Sequence, residues 1–240
     1  MNAVLSDAMA SSSFCIECVG RADCFFRQLP DAEHERIQPL LRERSFAPGD
    51  VLQRQGVLQP WLQVIKVGDL LCKSQPPVGE EHNMALIGRG QVIGLTNVWL
   101  LPSSVTVQAL SAGRVCQVDI GQVRLNNLLT PEVLLLIGRR KIQAMELLAN
   151  WAMVARQKTV QDRVAGVLCL LTQAQHSTQV RLPSHAVLAS IVGSSREAVV
   201  RALKQLEAGG RAVRRERGLY EIEPHLCGFC AAPDGAEYRI

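Results

Sequence analysis

The uneven distribution of glycine along this 240-residue chain is the feature that most limits its fold. Between Ser45 and Ile120, short apolar runs are separated by Gly49, Gly56, Gly68, Gly79, Gly88, Gly90, Gly94 and Gly113. Short β-branched runs between frequent turn residues are typical of antiparallel barrels and rolls. After Pro131, by contrast, Gly138 is the only glycine before Gly166. The sequence therefore predicts an α+β protein in which an antiparallel β-roll precedes a helical part.

The segment after Pro131 has the spacing of a single long helix. Residues that are mostly apolar or small recur every three or four positions, which predicts a helix of about 25 residues. The stripe comprises Leu134, Ile137, Lys141, Met145, Leu148, Ala152 and Ala155. Since a small roll cannot cover so long a stripe, we expect the helix of a second copy to contact Ile137, Met145, Leu148 and Ala152. The alternative is that both domains of the same chain wrap the helix.

The C-terminal third has the order of a helix-turn-helix domain. A helix is predicted over 184–191, with Ser184 as its N-cap, and Gly193 breaks the chain after it. Ser194 or Ser195 then caps a second helix that runs to about residue 207. The alternating residues 212–222 predict a hairpin. Together these elements form a winged helix.

Positive charge is concentrated in this C-terminal part. The chain has a formal net charge of +4, and residues 194–217 contain seven basic residues against three acidic ones. Local basic surfaces attract nucleic acids, although a solvated helix face has a similar composition. Charge alone therefore leaves both interpretations open.

The first turns of the second helix carry side chains that suit base recognition. Arg196, Glu197 and Arg201 lie where the N-terminus of a recognition helix enters the major groove. Arginine pairs with guanine, and glutamate accepts a hydrogen bond from cytosine. We expect Lys204 and the arginines of the hairpin to contact phosphates. The alternative is a surface helix with an ordinary ion pair between Glu197 and Arg201.

A glycine-rich roll, a long helix and a winged helix with the sequence Ser-Ser-Arg-Glu-x-x-x-Arg resemble the CRP/FNR family of bacterial transcription regulators. The resemblance covers about residues 15–223. It implies a roll like those that bind cyclic nucleotides, a dimerisation helix, and a half-site closer to TGTGA than to TTGAT. The implied partners are a pseudo-palindromic double-stranded DNA, a second copy of the chain, and RNA polymerase. The implied DNA-binding residues are Ser194, Ser195, Arg196, Glu197, Arg201 and Lys204.

The cysteines resemble those of the FNR branch of the family. Cys15, Cys18 and Cys24 have the spacing Cys-x2-Cys-x5-Cys, and Cys116 lies on a late strand of the predicted roll. This resemblance implies a [4Fe–4S] cluster with one thiolate per iron, and therefore an oxygen sensor, with nitric oxide as a further signal, that binds DNA at low oxygen. In that branch an aspartate keeps the cluster-free protein monomeric, whereas the alignment places Leu148 there. We therefore expect a dimer even without the cluster.

Other roles for the cysteines stay open. Cys15 and Cys18 could form a zinc site with Cys227 and Cys230, or the thiols could act as redox switches without a metal. Cys72 and Cys169 are interpreted as small buried apolar residues. A disulfide framework is not expected, because the N-terminus lacks an export signal and the protein is therefore expected in the cytoplasm.

Several function classes lack the residues they need. A cyclic-nucleotide pocket requires a glutamate and an arginine where this chain has Leu95 and Ser103-Ser104. The five histidines are scattered, and neither a catalytic triad nor a phosphate-binding glycine loop is present, so no enzyme is expected. The long uncharged run 90–113 contains too many polar residues for a membrane span. We expect segments at 1–29 (cysteine-rich), 30–128 (roll), 129–157 (dimerisation helix), 158–223 (winged helix) and 224–240 (tail).

Overall fold

The glycine-punctuated segment folds into two four-stranded antiparallel sheets, as seen in a computed structural model that describes Cys18 and residues 24–223. The strands are β1 (Arg42–Phe46), β2 (Val51–Gln53), β3 (Trp61–Val67), β4 (Leu70–Ser74), β5 (His82–Ile87), β6 (Val92–Ile93), β7 (Thr106–Ala109) and β8 (Gly113–Asp119). Their order is β1-β8-β3-β6 in one sheet and β2-β7-β4-β5 in the other. This confirms the predicted roll.

Strand β8 is central in the first sheet, and its two faces differ in chemistry. Gln63 of β3 lies opposite Gln117 of β8, and the two buried amides share a hydrogen bond of 3.0 Å. The opposite face, which carries Cys116 and Val118, packs against a hydrophobic cluster that we call the sheet-covering cluster. It contains Phe25, Phe26, Leu29, Ile37, Leu41, Leu62, Val64, Leu95, Val98, Val118, Ile120, Val123, Leu128, Val133 and Ile137.

Short helices flank the roll. Phe25–Gln28, Gln38–Leu40 and Leu95–Trp99 are 3₁₀ helices, whereas α1 (Asp31–Ile37) and α2 (Ile120–Leu125) are α-helices. The amphipathic pattern of the sequence extends from Ala32 to Arg42, which predicts a longer helix, but α1 ends at Ile37. Pro39 lacks the backbone N–H that would donate the next α-helical hydrogen bond, and the chain continues as the 3₁₀ helix Gln38–Leu40.

The long helix α3 (Pro131–Ala155) contains 25 residues, which confirms the predicted length. Ile137 is buried in the sheet-covering cluster, at 1% exposure. Leu135, Ile142 and Met145 are instead 58%, 58% and 59% exposed, although all three are large and apolar. The helix therefore has an apolar face that its own chain leaves uncovered.

The described part of the chain divides into two compact units, of which the first contains the described residues up to Glu81 and Ile87–Glu146, and the second His82–Leu86 and the described residues from Leu147. The second unit contains α4 (Val160–Gln175), β9 (Gln179–Arg181), α5 (His185–Val192), α6 (Arg196–Ala208), β10 (Ala212–Glu216) and β11 (Leu219–Ile222). Its three strands pair in the order β10-β11-β9. This is the predicted winged helix. None of the helices in the described ranges has the length and hydropathy required to cross a bilayer.

Gly94 and Gly49 provide a matched test of the packing in the roll. Both have a positive φ, +86° and +94° respectively, but a Cβ at Gly94 would lie 2.2 Å from the carbonyl oxygen of Trp61, whereas a Cβ at Gly49 meets nothing within 4 Å. We expect Gly49→Ala to cost about 1–2 kcal/mol of unfolding free energy from backbone strain alone. Gly94→Ala should cost clearly more, as measured by urea unfolding. Equal costs would contradict the described contact.

Candidate functional site

Helices α5 and α6 form the helix-turn-helix through residues that the sequence identified. Gly193 ends α5 in the left-handed conformation, with φ 59° and ψ 51°, which glycine adopts at little cost. Ser184 caps α5 by accepting a hydrogen bond from the backbone N–H of Val187 at 3.3 Å. Ser195 caps α6 in the same way, from Ala198 at 3.2 Å. The sequence left Ser194 and Ser195 as alternatives, and Ser195 is the N-cap of α6.

Helix α6 presents a polar face to solvent and packs an apolar face against its own unit. Val199, Ala202, Leu203 and Leu206 are buried. The predicted DNA-binding residues lie on the other side: Ser195, Arg196, Glu197, Arg201 and Lys204 are exposed, and Ser194 is half-buried in the turn. The structure thus places the whole predicted set at or beside the exposed N-terminal half of one helix.

A groove of about 620 Å³ separates α6 from the wing, which is the hairpin of β10 and β11. Its lining includes the cationic side chains of Arg196, Lys204, Arg214 and Arg217. Arg215 instead forms an ion pair with Glu221 on the neighbouring strand. The wing arginines therefore divide into two that line the groove and one that is held within the hairpin.

Two carboxylates modify the electrostatics of this face. The pKa of Glu197 lies below its usual range because its carboxylate accepts hydrogen bonds from its own backbone N–H and from Ser195. Burial, the nearby negative charge of Glu207 and a hydrogen bond with that carboxylate raise the pKa of Tyr220. Glu197 is thus an ionised acceptor at neutral pH, and Glu207 is engaged by a neutral tyrosine.

The structure brings together cysteines that are far apart in sequence. Cys116 lies on β8, directly opposite Val64 of β3 and Glu43 of β1. Cys24 precedes the 3₁₀ helix Phe25–Gln28, and both Cys24 and Cys116 are half-buried against the sheet-covering cluster. Cys24 also lies in the electrostatic field of Cys18.

Burial raises the pKa of the Cys24 thiol, although backbone N–H groups of Arg27 and Phe26 point to the sulfur and oppose the rise. Burial would lower the pKa of Lys66, but a hydrogen bond to Glu43 and the nearby charges of Cys18, Glu43 and Cys116 outweigh it, so that this pKa is raised. Two cysteines from different segments therefore affect the pKa of the same lysine.

Among the described residues, no three His, Cys, Asp or Glu side chains are close enough together to hold a single metal ion. A four-iron cube takes one thiolate at each corner and so separates its ligands more widely than a single ion does. Sulfur is the donor that such a group requires, and two of the cysteines, Cys24 and Cys116, pack against the same cluster. The fourth predicted ligand, Cys15, lies outside the described residues.

The remaining cysteines fall into two groups. Cys72 and Cys169 are 5% and 1% exposed, which confirms their interpretation as buried apolar residues, and burial raises the pKa of Cys72 to about 12. Cys227 and Cys230 lie outside the described residues. No disulfide joins the cysteines in the described part of the chain.

The predicted dimer residues on α3 do not share one environment. Met145 and Ala152 are exposed, and Leu148 is half-buried. Ile137 is fully buried in the sheet-covering cluster, so its assignment to the interface is wrong. The helical stripe predicted from spacing mixed positions that face the roll with positions that face solvent. Leu135 and Ile142, which the sequence did not single out, join Met145 on the exposed face.

Leu95 and Ser103, at the positions where a cyclic-nucleotide pocket would require charged side chains, have structural roles in the roll. Leu95 is buried in the sheet-covering cluster. The Ser103 hydroxyl accepts hydrogen bonds from Gln53 Nε2 at 2.5 Å and from the Val105 N–H at 3.1 Å. These contacts stabilise the loop before β7 and leave an apolar side chain where the family pocket has a carboxylate.

Sequence reasoning missed the charged residues beside Cys116. Lys66 forms an ion pair with Glu43, and Arg114 Nη1 lies 2.8 Å from the other oxygen of that carboxylate. No motif connects these residues, since they lie on three strands that are not consecutive in sequence. Only the strand order β1-β8-β3 reveals the group.

Comparisons with known proteins agree with this architecture. Residues 162–223 match the Crp-like helix-turn-helix domain. FixK2 from Bradyrhizobium japonicum has a similar structure, with a TM-score of 0.66 and 16% identity over 76% of this chain and 92% of that one. CLP, the c-di-GMP responsive global regulator of Xanthomonas campestris, has a TM-score of 0.62 and 20% identity over 81% of this chain and 100% of that one. TTHB099, a CRP-family transcriptional regulator of Thermus thermophilus, has a TM-score of 0.60 and 18% identity over 77% of this chain and 94% of that one.

The search of curated proteins gave no match to this chain. At these identities the structural similarities establish the fold, while the domain match applies to the C-terminal residues. The chain therefore has the fold of the CRP-type transcriptional regulators, and its residues 162–223 form a Crp-like helix-turn-helix domain.

Proposed function

We propose that this protein is a homodimeric transcription regulator that binds a pseudo-palindromic DNA site and senses oxygen through a [4Fe–4S] cluster. The observation that carries the DNA-binding part is the exposed polar face of α6 beside a groove lined by cations. A recognition helix enters the major groove with its N-terminal residues, which here are Arg196, Glu197 and Arg201. Each copy would contact one half-site.

The two kinds of arginine on this face have different roles in the proposal. Arg201 lies on α6 and is exposed, so it reads a base edge. Arg214 lines the groove from the wing, where phosphate contacts position the protein without reading sequence. Arg215 is engaged by Glu221 and contributes less to either role.

Substitution of these arginines is expected to separate specificity from affinity. Arg201→Ala should weaken binding to the preferred half-site by about 1–3 kcal/mol and relax the preference at one base pair. Arg214→Ala should weaken binding to all sequences and reduce the salt dependence, and Arg215→Ala, the control on the same strand, should do so less. Fluorescence anisotropy with a series of half-site variants measures both effects. An unchanged preference in Arg201→Ala would contradict the assigned orientation of α6.

The cluster part of the proposal is supported by the cysteines beside the sheet that contains β8. Cys18, Cys24 and Cys116 supply three thiols, and Cys15, three residues before Cys18, supplies the fourth. When bound, a [4Fe–4S] cluster would provide sensitivity to oxygen and nitric oxide. Cys116 connects the N-terminal cysteines to β8, and Cys24 connects them to the buried Phe25. Binding of the group would therefore fix the N-terminal segment against the sheet.

Each proposed ligand is expected to be required for iron binding. After anaerobic purification, the wild-type protein should contain iron and sulfide near four of each per chain, the composition of one cluster. Alanine at Cys15, Cys18, Cys24 or Cys116 should abolish this content, because one iron loses its thiolate. Cys72→Ala and Cys169→Ala serve as controls and should retain it. A full iron and sulfide content in Cys116→Ala would refute the ligand assignment.

Dimerisation is supported by the exposed apolar face of α3. Leu135, Ile142 and Met145 are separated by seven and three residues, and the exposed Ala149 and Ala152 continue this spacing. Apolar residues at alternating steps of three and four are typical of the seam between two parallel or antiparallel helices. A second copy of the same helix would cover all of them. By similarity to the regulator family, the proposal also includes RNA polymerase as a partner and DNA binding at low oxygen.

A charge on this face is expected to separate the two copies. Met145→Asp should give a mass near 26 kDa by light scattering at micromolar concentration, because two carboxylates would meet in an apolar seam. Asn150→Asp places the same charge on an exposed side of the same helix outside the seam and should leave the dimer intact. The wild-type protein should stay dimeric after aerobic purification. A monomeric wild type would contradict this part of the proposal.

A further inference from the structure

The groove between α6 and the wing contains a carboxylate among its cations. The part of α6 that lines it has the spacing i, i+4, i+7, i+8 and i+11 of a single helix face, and consists of Arg196, Val200, Leu203, Lys204 and Glu207. Glu207 is half-buried at the end of this face. It is the only carboxylate among the described residues that line the groove. A negative charge therefore lies within the surface that is proposed to bind phosphates.

Tyr220 of β11 holds this carboxylate from the side of the wing. Its side chain also lines the groove and is buried. Burial and the neighbouring Glu207 carboxylate raise the pKa of Tyr220, so its hydroxyl stays protonated at neutral pH and donates a hydrogen bond to that carboxylate. Tyr220 lies directly opposite Arg214 in the β10–β11 pairing, so the two side chains project from the same face of the wing. The tyrosine thus links the end of α6 to the hairpin.

The hydrogen bond keeps Glu207 from two alternative partners. Lys204 is three residues earlier on the same face of α6, a spacing at which helical side chains are neighbours. Arg214 is next to Tyr220 on the wing. Within the part of the chain that the structure describes, neither cation forms an ion pair with a carboxylate. If Glu207 lost the tyrosine, it could pair with either cation and cancel one positive charge of the groove.

We propose that Tyr220 is a positioning residue of the DNA-binding groove, which holds the Glu207 carboxylate away from Lys204 and Arg214 and leaves both cations free to bind phosphates. The inference rests on the DNA-binding part of the proposed function. Each phosphate that a protein neutralises contributes about −0.9 to the slope of log affinity against log salt concentration. One buried hydroxyl group therefore determines whether the groove binds DNA with all of its positive charge.

Removal of this hydroxyl is expected to weaken binding through charge and not through sequence. Tyr220→Phe keeps the buried ring and loses the hydrogen bond. It should weaken binding to the preferred site and to an unrelated duplex of the same length alike, by about three- to tenfold at ~0.1 M salt, and reduce the salt slope by about 1. Fluorescence anisotropy over a series of salt concentrations measures both quantities.

Substitution of the carboxylate distinguishes this role from a loss of structure. In the Glu207→Gln background no carboxylate is left to pair with the cations, so Tyr220→Phe should have no further effect on affinity or salt slope. The control background is Glu216→Gln, which removes the same charge from β10 at an exposed residue outside the groove lining. There, Tyr220→Phe should weaken binding as much as it does alone. If Tyr220→Phe does not fold, Glu207→Asp replaces it, because the shorter side chain keeps its charge but withdraws from the hydroxyl.

The outcomes separate this inference from the proposed function. Unchanged binding in Tyr220→Phe, or in Glu207→Asp in its place, would overturn the role of Tyr220 even if the wild type prefers its half-site. An equal loss from Tyr220→Phe in the Glu207→Gln background would do the same. Elution from a heparin column by increasing salt makes this comparison without DNA. Earlier elution of Tyr220→Phe, suppressed by Glu207→Gln, in a protein without preference among DNA sequences would refute sequence-specific regulation and leave the charge effect in place.

Discussion

Burial of apolar surface in the sheet-covering cluster holds together the parts of the first unit that matter for function. Phe25 and Phe26 are almost completely buried there, with their rings 5.4 Å apart in an edge-to-face arrangement. Each such side chain contributes about 1.5–3 kcal/mol when it leaves water. A 3₁₀ helix of four residues has little stability of its own, so these two rings fix Phe25–Gln28 to the sheet. The position of Cys24 depends on that attachment.

The same cluster brings the cysteine segments together before any ligand binds. Cys24 enters from the N-terminal side and Cys116 from β8, and both contact the cluster. A metal site whose ligands are already ordered loses less conformational entropy on binding than one assembled from a free loop. The polar side of this arrangement is supplied by Lys66 and Glu43, whose mutual pairing offsets part of their cost of burial. Apolar packing therefore holds Cys24 and Cys116 against the same cluster.

Local signals in the sequence were sufficient for much of this fold. Gly193 and Ser195 determine where α5 ends and α6 begins through backbone geometry and one hydrogen bond, and both effects depend only on neighbouring residues. Pro39 acts in the same local way, and the early end of α1 follows from a residue that the helical spacing alone did not take into account. Ile137 shows the limit of periodicity, because the pattern of a helix does not specify which face packs against its own chain. The Lys66–Glu43 pair depends on strand order, which no local signal contains.

Helix α3 has two apolar faces, one packed against the sheet-covering cluster and the other exposed. Val133 and Ile137 belong to the sheet-covering cluster, whereas Leu135, Ile142 and Met145 on the same helix are exposed. Separation of two copies would return those large apolar side chains to water, and Leu148 provides no charge to drive it. For the proposed dimer, reorientation of two associated copies would therefore cost less free energy than their separation.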